Sequence, residues 1–165
     1  PSLVQQEHAA GHGIGDHGWS HAALTELPPA LIRQELESTA VEIASLTGTR
    51  PTLWRPPFGA FNDTVTAIAS SLGLSMRLWD VNPADFDMPG TGEIVSRVVD
   101  NVSDGAIILL HDSSPGGSED RSQTVEALPW IINALRARGF QFGTLSTPTG
   151  ARSGPTGPDV VIGRE

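Results

Sequence analysis

The chain has 165 residues, 38% of them apolar and 18% charged, enough to close a hydrophobic core and too apolar for a disordered polymer. Its formal charge is -9, its 10 basic residues are all arginine, and none of them cluster, which argues against nucleic acid or an anionic membrane as a partner. Cysteine is absent, so disulfides and thiolate chemistry are excluded and any metal must be held by histidine and carboxylate.

No apolar run approaches the roughly 18 residues of a membrane span, and no basic start leads into an apolar stretch as in a signal peptide. The first residue is proline, so residues upstream of Pro1 are expected to have been removed or left out.

In chain order, residues 2–10 (SLVQQEHAA) read as a helix stopped by Gly11, with Pro1 suited to its first turn. "HGIGDH" follows as a glycine-loosened strand or loop. From Pro29 to Thr47, Ile32, Leu36, Ala40, Ile43 and Ala44 recur at helical spacing until Gly48 and Pro51 end the helix. "TLW" reads as a brief strand, 62–72 as a helix, "LSMRLWDV" as a strand, and 91–103 as a helix with one valine-rich face. "GAIILLHD" is the clearest strand, its four large apolar residues matching a parallel strand covered on both faces. A helix over 123–138 is expected to start or kink at Pro129, "FQFGTL" is the last strand, and 147–165 reads as a Gly/Pro-rich flexible tail.

Strands alternating with helices imply α/β architecture with a parallel sheet, open or closed into a barrel. In such folds chemistry gathers at the carboxyl ends of strands. His17, His21, Arg55, Asp85, His111 and Asp112 all fall at such ends.

Singly, each motif has an ordinary explanation. Two histidines four apart in "GDHGWSH" suit a metal if they share a helical turn, but the spacing is common. "RPPFG" fits a rigid turn, "DVNPADF" an Asx-rich turn, and "LLHD" a strand with a satisfied polar cap. Trp54 and Trp79 suit core or pocket wall.

Together and in this order, "GHGIGDHGWSH", "RPPFG", "WDVNPADF" and "ILLHD" resemble the NodB-homology polysaccharide deacetylases of carbohydrate esterase family four. "ALPWIINALRARGFQFGTLS" looks like that family's last helix and strand. The resemblance covers residues 1–146 as the C-terminal portion of a deacetylase domain. It implies a distorted (β/α) barrel of parallel strands, incomplete in this chain because the first strands are missing. It also implies a hydrolase that removes N-acetyl groups from peptidoglycan, chitin or chito-oligosaccharide, outside the cell or at the cell wall. By the same likeness, His17 and His21 are metal ligands, normally to zinc with cobalt or nickel as substitutes. Arg55 orients the catalytic base, the Phe58 backbone N–H helps form an oxyanion hole, and Leu109 lines the pocket for the acetyl methyl. Asp85 holds His111, the general acid, while the metal activates water.

The family's paired-aspartate motif, which supplies the base and a third ligand, has no counterpart: no Asp-Asp pair occurs in the sequence. Base and third ligand are therefore expected from an N-terminal segment of the same domain, acting as a partner to these residues. Alone, the chain is expected to bind metal weakly and turn over negligibly. Gly18 stands where the family has Ser or Thr, and Phe86 where it has Trp. Two other readings remain open: an O-acetyl xylan esterase using the same residues, and a non-catalytic carbohydrate-binding relic.

Overall fold

A computed structural model describes residues 1–114, 117, 119–145 and 159–164. Residues 1–78 form one compact unit, and residues 79–145 with the strand 159–164 a second.

In the first unit, helix α1 (Ser2–Ala9) has Pro1 at its N-cap and is followed by Gly11 at φ +87°, a left-handed turn that glycine enters without a Cβ clash. Helix α2 (Pro29–Thr47) opens with proline in its first turn, where the missing N–H costs nothing, and closes on Gly48, whose N–H donates to Ala44. Its apolar spacing lays Ile32, Leu36, Ala40 and Ile43 on the buried face, as the periodicity predicts. Helix α3 (Asp63–Ser71) is capped by the Asn62 side chain, which accepts from the Val65 N–H. Between these helices, β1 (Leu53–Trp54) pairs in parallel with β2 (Ser75–Met76), and Asp16 adds a parallel bridge to Trp54. Leu24, Ile32, Leu36, Trp54, Val65, Ala69 and Leu74 close the core over this small sheet.

In the second unit, helix α4 (Thr91–Val99) and helix α5 (Ser122–Ala137) bury Ile94, Val98, Ala127, Ile131 and Leu135 with strand β3 (Ile107–Leu110). Burial of each such Ile or Leu contributes about 1.5–3 kcal/mol. Strand β4 (Gln141–Gly143) follows, and strand β5 (Asp159–Arg164) lies between β3 and β4, parallel to both. Every ladder among the described residues is parallel, in keeping with the α/β class expected from sequence.

Three expectations differ from the structure. "LSMRLWDV" is not a continuous strand: its ladder is Ser75–Met76, and Val81 contributes an isolated bridge to Ile108. Pro129 does not start helix α5, which begins at Ser122 and carries the proline inside it. Within the 147–165 segment read as a tail, Asp159–Arg164 is a strand, since "VVI" is β-branched and finds ladder partners on both sides. Residues 146–158 lie outside the described residues.

Candidate functional site

The two histidines of "GDHGWSH" sit on an irregular loop, not on a helical turn. The loop leaves the sheet at Asp16, whose N–H donates to Leu53 and whose carbonyl accepts from Arg55, both at 2.9 Å. Gly18 (φ +77°) and His21 (φ +58°) then turn the chain twice through left-handed conformations, bringing the two rings edge to face at 4.9 Å. Gly18 thus serves the backbone: Ser or Thr would be strained at that φ, although a Cβ there would meet only Glu35 Oε2 at 3.5 Å and Pro57 at 3.6 Å.

The loop is braced by Glu35 on α2. Its carboxylate accepts from the N–H groups of Trp19 and Ser20 and from the Ser20 hydroxyl. Nothing in the sequence singles out Glu35, because its partners are mainly backbone groups.

His17 Nδ1–H donates to the Arg55 carbonyl at 2.8 Å, which puts the lone pair of the neutral ring on Nε2. A backbone carbonyl behind a ligating imidazole is the usual way its tautomer and orientation are fixed. His21 packs edgewise on Phe58 at 4.7 Å, and its Nδ1 is buried without a hydrogen-bond partner among the described residues. Arg55 is buried too. Its Nε and Nη2 donate to the carbonyls of Arg77 and Leu78, pinning "RPPFG" to the end of β2. Phe58 holds φ +61° at the centre of a tight turn in which Gly59 and Ala60 donate to the carbonyls of Pro56 and Pro57. Its side chain is exposed.

Asp16 is 1% exposed, and burial pushes its carboxyl up to about 7 despite the hydrogen bond that Oδ1 accepts from Gly18. Its Oδ2 is likewise buried without a hydrogen-bond partner among the described residues. Two imidazoles with orphaned polar atoms beside them are the right chemistry for a borderline divalent ion. They are one ligand short of the usual three, and no cluster of three His, Cys, Asp or Glu occurs among the described residues.

In the second unit, Asp85 opens a short 3-10 turn and is 1% exposed. One oxygen accepts from His111 Nδ1–H at 2.8 Å; the other accepts from the His111 backbone N–H at 2.8 Å and the Thr124 hydroxyl at 2.9 Å. Burial alone would raise this carboxyl, but the bonds from the His111 ring and backbone and from Thr124 outweigh it and hold the group below its ordinary value. His111 follows directly on β3, and Phe86 stands edge-on to its ring at 5.4 Å. Leu109, two residues earlier, is buried and its N–H donates to Val81. Among the described residues, Asp112 makes no hydrogen bond or ion pair that would give it a role in either set.

Within the first unit, then, the chain brings together His17, His21, Arg55 and Phe58; within the second, Asp85 and His111, with Leu109 on the same strand. Thr124 and Arg121 near the start of α5 escape a reading of the sequence, since a Thr or Arg there carries no motif.

The depressed Asp85 carboxyl has a consequence for acid stability. Unfolded, the group binds protons near 3.8; folded, it binds them only at lower pH. Its stabilisation is complete above the unfolded value and is lost as pH falls through the folded one. Thr124→Val removes one donor, so the Asp85 pKa is expected to rise toward 3.8 and acid unfolding to begin at higher pH. A carbon-13 carboxylate titration of both proteins checks this; an unmoved Asp85 resonance would contradict the role given to Thr124.

Residues 1–77 match the family model described as Polysaccharide deacetylase. The chain is 35% identical over 153 residues to a chitooligosaccharide deacetylase of Bradyrhizobium, covering 88% of this chain and 70% of that protein. It is 36% identical over 148 residues to a peptidoglycan-N-acetylglucosamine deacetylase of Bacillus cereus, covering 88% and 67%. Among solved structures, it superposes on a family 4 carbohydrate esterase from Streptomyces lividans in complex with acetate. That match has a TM-score of 0.75 and 33% identity, over 84% of this chain and 68% of the other. The motifs, the parallel α/β fold and these likenesses converge: the chain belongs to the polysaccharide deacetylase family.

Proposed function

We propose that this chain removes N-acetyl groups from an extracellular or wall-associated polysaccharide, of the peptidoglycan, chitin or chito-oligosaccharide class. The observation that carries the reading is the Asp85–His111 pair. An amine cannot depart as an anion, so amide hydrolysis needs a proton delivered to nitrogen. Asp85, buried and kept ionised, holds His111 through Nδ1–H, so that Nε2 is the nitrogen that carries the transferable proton when the ring is an imidazolium. The same carboxylate also grips the His111 backbone, so the ring and the main chain are oriented together.

His17 and His21 would hold a divalent ion, zinc or in its place cobalt or nickel, and a third ligand and the general base would have to join them. Such an ion, when bound, polarises the acyl oxygen and lowers the pKa of water toward roughly 7. Arg55 anchors the turn that presents the Phe58 N–H toward a developing oxyanion, and Leu109 borders the acetyl methyl. The orphaned His21 Nδ1 and the tautomer set by Arg55 on His17 support this assignment.

The test is acetate release by the full-length protein from N-acetylated chito-oligomers, peptidoglycan and acetylxylan. Acetate appearing with a new free amine is the expected result. Release from acetylxylan alone would replace this reading with an O-acetyl esterase, and saccharide binding without any release would replace it with a carbohydrate-binding relic.

A further inference from the structure

We infer that Arg121 is a positioning residue for His111, tying together the two segments that carry the carboxylate and the acid. Its side chain is 6% exposed. Nη1 donates to the carbonyl of Phe86 at 3.0 Å, and Nε to the carbonyl of Ser113 at 3.3 Å. Phe86 follows Asp85 and stands against the His111 ring; Ser113 lies two residues beyond His111. One guanidinium therefore grips the chain on both sides of the Asp85–His111 hydrogen bond.

Helix stability does not explain a cation at this place. Arg121 is the N-cap residue of α5, where the helix dipole disfavours positive charge, and its side chain caps no helical N–H. Burying a guanidinium is costly unless its donors are satisfied, and here two of its acceptors are carbonyls next to the acid and its carboxylate. The third partner, Glu119, is half exposed and balances the charge from the solvent side. One turn along α5, Thr124 donates to Asp85 itself, so the start of this helix supports the pair twice. The planar fork of arginine can span two carbonyls at once; a lysine ammonium at the same position reaches one.

This inference rests on the reading of His111 as the proton donor, and the experiment separates the two. In the full-length protein, Arg121→Lys and Arg121→Gln are compared with His111→Ala. Two readouts are used: kcat and KM for acetate release, and the low-field proton resonance of the His111 Nδ1–Asp85 hydrogen bond. A misplacement of about 1 Å costs on the order of 10²-fold in rate, so kcat is expected to fall by ~10- to 10²-fold in both Arg121 variants. KM should stay within about twofold and the low-field proton should broaden or vanish, with circular dichroism unchanged. A wild-type kcat with an intact low-field proton overturns the inference, as does loss of fold in both variants, which would make Arg121 merely structural. If instead His111→Ala keeps full activity, the acid reading falls, while the low-field proton still decides whether Arg121 positions the ring.

Discussion

His111→Ala is expected to lower kcat for acetate release by on the order of 10²- to 10⁴-fold, the usual contribution of a positioned general acid. Divalent-ion binding should be unchanged, because the ligands assigned to the ion are His17 and His21, on the loop after Asp16, and His111 is assigned to the proton. The variant separates chemistry from assembly. Alanine also strips Asp85 of the ring N–H while leaving it the bonds from the His111 backbone and Thr124, so the carboxylate stays anchored in place. Activity lost through general unfolding would show as a lowered melting temperature. Activity lost through the missing proton would show as a kcat defect that eases with substrates whose leaving group needs less protonation, such as an activated phenyl acetate. A variant that deacetylates chito-oligomers at the wild-type rate would remove His111 from the reaction.

The second large effect concerns the loop of residues 15–21. His17→Ala and His21→Ala are each expected to weaken zinc binding by at least roughly 10²-fold, since even changes behind a ligand cost about 10- to 100-fold. The mechanism differs at the two positions. His17 loses a ring held by the Arg55 carbonyl, whereas His21 loses a ring packed on Phe58 whose Nδ1 has no hydrogen-bond partner among the described residues. Calorimetric titration of the full-length protein with zinc checks both variants. Unchanged affinity in His21→Ala would mean that its buried nitrogen serves packing alone. Asn at either position is a useful companion, because it keeps polarity while removing the imidazole.

How much of this could be read from the sequence depends on the kind of interaction. Helix α2 was legible because Ile32, Leu36, Ala40 and Ile43 announce a buried face and Gly48 announces an end. Strand β3 was legible because Ile107–Leu110 is continuously apolar. "LSMRLWDV" misled because a strand is defined by its partners, and only Ser75–Met76 found a ladder. The site residues with reactive side chains, His17, His21, Asp85 and His111, stand out by chemistry and order. Glu35, Thr124 and Arg121 do not, because they act largely through hydrogen bonds to main-chain groups or to one carboxylate, and such bonds follow from folding and leave no spacing rule behind. The loop after Asp16 shows the same limit: Glu35 of helix α2 braces its backbone, and no motif announces it.

Among the described residues, four other than glycine hold left-handed backbone conformations: His21, Phe58, Ala84 and Met88. Two of them belong to the candidate site and Ala84 immediately precedes Asp85, so conformational free energy of about 1–2 kcal/mol per residue is stored beside the working groups. On warming, these loops are expected to relax and release that energy before the helices melt. Catalytic competence would therefore fade before the melting of the molecule as a whole, and the gap between the two temperatures would measure the tension kept in its loops.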